Sequence, residues 1–119
     1  MPVRSLRSSV MRWPDAAEVD AAMRAWARAL AAAHPEVHRV GYFGSYARGD
    51  WGVGSDVDIV VIVEHSDEPP THRAARWPVE DLPVPADVLV YTQEEWARID
   101  PESRFGRVLR EEVRWVFER

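Results

Sequence analysis

The run Asp56-Val57-Asp58-Ile59-Val60-Val61-Ile62-Val63 constrains the fold more than any other stretch of the chain. Side chains on a strand alternate between faces, so Val57, Ile59, Val61 and Val63 fall on one face and Val60 and Ile62 on the other. A strand that is apolar on both faces has to be covered on both, which predicts a central strand of a sheet. The same alternation sets Asp56 and Asp58 on one face at the strand's start, with Cα atoms roughly 6.5 to 7 Å apart. Two ionised carboxylates beside buried Val60 and Ile62 repel each other and lose hydration unless a cation or an arginine compensates.

The rest of the pattern supplies the partners of that strand. Pro14-Asp15-Ala16-Ala17-Glu18 reads as a capping box opening a helix that runs to about Ala33, with Val19, Ala22, Met23, Trp26 and Leu30 as its apolar stripe. His34-Pro35 ends it, because the residue before proline is pushed out of the helical region. His38 to Phe43 predicts a strand leading into Gly44-Ser45, and Pro85 to Thr92 predicts another. Thr92-Gln93-Glu94-Glu95 repeats the capping box and opens a short helix through Ile99. Asp100-Pro101 predicts a further helix starting at Pro101, with Phe105, Val108 and Leu109 inward. Val113 to Phe117 reads as a last strand or as a continuation of that helix. Residues 65–84, with Pro69, Pro70, Pro78 and Pro83, predict a surface excursion with a helical turn near Thr71 to Trp77. The expected class is α/β (α+β), a short mixed sheet bearing the carboxylates at one edge, with helices packed mainly on one face.

At 119 residues the expectation is one domain over 1–119, with an N-terminal extension over 1–13 and no room for a second, substrate-gripping domain. No apolar run approaches the ~20 residues of a membrane helix, and the first residues lack a secretory h-region, so a soluble, cytoplasmic protein is expected. The absence of cysteine excludes a disulfide framework and a thiol nucleophile. All of the basic residues are arginine, which excludes a lysine Schiff base and a P-loop lysine. A net charge of -5 argues against direct nucleic-acid binding and makes a basic protein partner more welcome. A homo-oligomer is compatible with all of this.

Candidate chemistry gathers in three places. Asp56 and Asp58 present hard oxygen ligands suited to Mg²⁺ or Mn²⁺, and Asp87 brings a third carboxylate to the same sheet edge if its strand lies next to theirs. Gly44-Ser45-Tyr46-Ala47-Arg48-Gly49 follows a strand and opens a helical turn, where glycine lets the backbone approach a phosphate closely and Ser45 adds a donor. Each piece has a plainer reading: Ser45 as an N-cap, Asp87 as a turn residue, Arg48 as an ion-pair partner of Asp50 or another surface carboxylate. Tyr46 and Trp51 suit packing better than base stacking, and His34, His38, His65 and His72 lack metal-ligand spacing with the carboxylates.

Taken jointly, Gly-Ser, ten residues, Asp-x-Asp and a further Asp on a later strand resemble the nucleotidyltransferase superfamily of the DNA polymerase β type, and within it the minimal nucleotidyltransferases of prokaryotes. The segment from Val40 to Gly49 and that from Gly54 to Val61 carry the resemblance. It implies that Asp56 and Asp58 hold two divalent ions, Mg²⁺ or Mn²⁺, that Asp87 completes a metal site and handles the acceptor hydroxyl, and that Gly44, Ser45 and Arg48 bind the phosphates of a nucleoside triphosphate, expected to be ATP. It also implies an antitoxin that adds AMP to a tyrosine of a HEPN-domain toxin. The same residues leave open a non-catalytic, binding-only antitoxin or scaffold, and a transferase acting on an aminoglycoside-like small molecule with help from a second subunit.

Overall fold

A computed structural model describes residues 13–119; the expected N-terminal extension lies, apart from Trp13, outside them. Helix α1 spans Ala16–Ala33 and starts at the predicted capping box: the Asp15 side chain accepts the Glu18 N–H at 2.9 Å, and Glu18 accepts the Asp15 N–H at 3.1 Å. Its buried stripe is Val19, Met23, Trp26, Ala27, Leu30 and Ala31, and it stops at extended His34 before Pro35. Asp20, off that stripe, is not simply solvated, since the Tyr42 hydroxyl donates to it at 2.7 Å.

Four strands form one mixed sheet: β1 Val37–Phe43, β2 Val57–Val63, β3 Ala86–Thr92 and β4 Arg114–Glu118, in the order β3-β2-β1-β4. β1 runs antiparallel to both β2 and β4, while β2 and β3 are parallel. β2 is therefore interior, and every apolar residue on it is buried. Val57, Ile59, Val61 and Val63 join the larger cluster with α1; Val60 and Ile62 join a smaller one with Trp96 and Leu109. The sheet is thus covered on both faces, with the heavier cover on the α1 side. Trp96 belongs to α3, Gln93–Arg98, and Leu109 to α4, Arg104–Glu112; a one-turn helix α2, Ser45–Arg48, follows β1.

Two expectations about α4 need correction. The helix begins at Arg104 rather than Pro101, because Ser103 is its cap: the Ser103 hydroxyl accepts the Gly106 N–H at 3.0 Å and donates to the Asp100 carbonyl at 2.7 Å. Asp100 to Ser103 is a turn instead. The buried face runs through Gly106 and Leu109, so Leu109 is inward as expected and Val108 half-buried, while Phe105, expected inward, lies in the first turn and is 46% exposed. The ambiguous C-terminal stretch resolves as β4.

Residues 65–84 hold two 3₁₀ turns, Pro70–His72 and Val79–Asp81. Their charged residues other than Arg73 stay outside, but Trp77, Leu82 and Val84 are buried in the larger core, and the Trp26 indole donates to the Pro78 carbonyl at 3.1 Å. Arg73 ties this segment to the sheet edge: it donates to the Glu68 carbonyl at 3.0 Å, the Val90 carbonyl at 3.1 Å, and both carboxylate oxygens of Glu95 at 2.6 and 3.1 Å.

Candidate functional site

The chain leaves β1 through Gly44, whose φ of 81° lies in the region that favours glycine. A Cβ there would also meet the Asp58 carboxylate, so a side chain at this position would push that carboxylate aside. The turn that follows presses the Gly44 backbone onto the first residues of β2, since Phe43 is the register partner of Asp58. Gly44, not Ser45, is the cap of α2; no side chain caps this turn, and among the described residues the Ser45 hydroxyl makes no hydrogen bond with protein. Tyr46 and Trp51 stack on each other at 5.5 Å with planes 9° apart, which is the packing role.

Asp58 and Asp87 are register partners across the parallel β2–β3 pair, so the topology brings the third carboxylate beside the first two. Their neighbours on that sheet face are Phe43, Val60 and Ile62 of the smaller core, which give the site an apolar floor. Burial pushes the Asp58 carboxyl above its usual range, and the negative charges of Asp87 and Asp56 push it in the same direction, while Arg48 opposes them. Asp56 and Asp87 are exposed at the rim. Among the described residues no three carboxylates or other ligating groups converge closely enough to hold one metal ion.

Arg48 points back to this end of the sheet. Its Nε donates to Asp50 at 3.1 Å, the plainer reading of this residue, and its Nη1 donates to Glu112 at 3.2 Å. Glu112, the last residue of α4, also accepts the Gly44 N–H at 3.3 Å. Reading the sequence missed Glu112, and no local signal could have revealed it, because only the return of α4 and β4 alongside β1 brings it there. Arg114 assists that return, donating to the Ala47 carbonyl at 3.1 Å.

Among the described residues no helix is long and apolar enough to cross a membrane. The fold resembles solved structures. One, a candidate nucleotidyltransferase from Sulfolobus solfataricus, superposes with a TM-score of 0.59 at 22% identity over 91% of each chain. Another, a toxin–antitoxin structure with AMP-PNP, superposes with a TM-score of 0.57 at 17% identity, covering 81% of this chain and 73% of that one. At such identities they attest the fold alone. No curated protein matches the sequence. Residues 23–115, most of the chain and all of the residues that build this sheet edge, match the Nucleotidyltransferase domain family, and the protein belongs to it.

Proposed function

We propose that the chain is a Mg²⁺-dependent nucleotidyltransferase that transfers AMP from ATP to a hydroxyl of a partner protein, the partner being a HEPN-domain toxin and the acceptor a tyrosine. The observation that carries the transfer chemistry is the pairing of Asp58 with Asp87 across β2 and β3, next to Asp56 and directly under the Gly44 turn. The donor set fits a hard divalent cation, because all three groups are carboxylates and the partly buried Asp58 sits in an excess of negative charge. Asp56, Asp58 and Asp87 would hold Mg²⁺ or Mn²⁺, the exposed Asp56 and Asp87 turning toward it. When bound, the metal supplies positive charge that offsets the triphosphate and the leaving pyrophosphate.

The chain's own groups account for the remainder. The Gly44 amide, the free Ser45 hydroxyl and Arg48 supply donors for the β- and γ-phosphates. Asp87 accepts the proton of the acceptor hydroxyl as its oxygen bonds to the α-phosphorus and the bond to pyrophosphate breaks. The protein-acceptor reading is supported by the fold-level likeness to a toxin–antitoxin structure with AMP-PNP and by the acidic net charge, which favours a basic partner.

Incubation with ATP labelled at the α-phosphate, Mg²⁺ and a HEPN protein encoded beside this chain should label that protein and release pyrophosphate. Chelating the metal, or Asp58→Asn, should abolish both. Tight binding of ATP without transfer to any such partner would overturn the acceptor reading. Neutralisation of the toxin by Asp58→Asn as well as by wild type would replace catalysis with binding alone.

A further inference from the structure

The Glu112 carboxylate occupies the donors that the proposed function assigns to phosphate. Its Oε1 accepts the Gly44 N–H at 3.3 Å and the Arg48 Nη1–H at 3.2 Å, with 21% of its side chain exposed. A carboxylate oxygen and a phosphate oxygen make the same demand on these groups, since each is an anionic acceptor for a backbone amide and a guanidinium. Both cannot be served at once. Arg48 is also held by Asp50 at 3.1 Å, so losing Glu112 would leave the guanidinium tethered near the turn rather than free.

We propose that Glu112 is an internal competitor for the triphosphate, filling the Gly44 and Arg48 donors when no nucleotide is bound and swinging outward when phosphate oxygens take them. The inference rests on the nucleotide reading and adds to it a determinant of affinity. With ligand absent, Glu112 keeps the Gly44 amide satisfied and Arg48 positioned. With ligand present, the competition for these donors and the repulsion from the displaced carboxylate weaken the hold on the phosphates and favour pyrophosphate departure.

Dissociation constants of ATP and of AMP, both with Mg²⁺, should be measured for wild type, Glu112→Gln and Glu112→Ala. Glutamine keeps an acceptor for the Gly44 amide but removes the charge, so ATP should bind about three- to tenfold more tightly, a change of the size expected for one partly exposed charge. AMP, which lacks the β- and γ-phosphates, should change by less than about twofold, and the ATP gain should shrink in high salt and in an Arg48→Ala background. A merely structural Glu112 would alter ATP and AMP together. If wild type binds ATP and both variants bind it equally or more weakly, the competitor is overturned and the nucleotide reading stands. If no variant and no wild type binds ATP, the nucleotide reading falls and takes this inference with it.

Discussion

The two ends of β3 treat carboxylates in opposite ways. At its start, Asp87 lies beside Asp58, and burial and like charge hold Asp58 above the usual carboxylate range. At its end, Thr92 and Glu95 form a closed capping box, and Arg73 grips both oxygens of Glu95, pulling it down to about 2. The Arg73 hydrogen bond is the largest cause, followed by the backbone bond from Thr92. One end stabilises the fold by satisfying its charge; the other keeps charge uncompensated, which is costly for a scaffold and useful for a site that receives a cation and a polyanion.

The sharpest way to break that comparison is through activity. Asp58→Asn should lower nucleotidyl transfer by about a hundredfold or more, the scale for removing a group that acts on developing charge; near wild-type pyrophosphate release would show that the acidic end is not the reactive one. Gly44→Ala comes next. The added methyl would meet the Asp58 carboxylate and adopt a φ near 81°, so stability should fall by about 2 to 3 kcal/mol. An unchanged urea midpoint would show that the turn after β1 has more freedom than its contact with Asp58 allows.

The difference in legibility between these ends has a physical basis. The acidic end was largely readable, because Asp56, Asp58 and the apolar run of β2 are contiguous, and strand periodicity alone sets both carboxylates on one face. Asp87 needed one fact that the sequence withholds, the adjacency of β2 and β3, and Glu112 needed the whole return of the chain through α4 and β4. At the other end the Thr92 capping box was visible, since it is local, but Arg73 was not. Arg73 reaches Glu95 from inside a proline-rich segment whose composition signals only surface, and the same segment conceals Trp77 and Leu82 as core. The start of α4 departs from the Asp100-Pro101 signal because the chain turns there first and the helix is capped at Ser103. The Ser103 bonds to Asp100 and Gly106 fix that cap.

Arg73→Met probes the satisfied end. The variant keeps much of the buried stem but loses four hydrogen bonds, while Glu95, 38% exposed, can regain water. A loss of about 1 to 2 kcal/mol is expected at neutral pH. Its pH dependence has a defined sign. Glu95 is lowered from 4.5 to about 2, so the folded state holds the ionised form more strongly than the unfolded chain does. That contribution is complete above about 4.5 and is lost as pH falls toward about 2. The gap between wild type and Arg73→Met in urea unfolding should therefore narrow over this window; a constant gap would mean that Arg73 acts by packing alone.

The smallest expected effect has the opposite sign. Asp58→Asn, the change that should abolish transfer, should also raise stability by up to about 1 kcal/mol at neutral pH with divalent ions chelated, because it removes a partly buried charge from beside Asp56 and Asp87. Adding Mg²⁺ should close the gap by stabilising wild type more than the variant, since a ligand that binds only the folded state shifts unfolding toward it. If Asp58→Asn destabilises in chelator as Arg73→Met does, the carboxylate is a structural element like Glu95. Loss of activity and gain of stability from one substitution would instead locate the uncompensated charge at the end of the sheet where the chemistry is proposed.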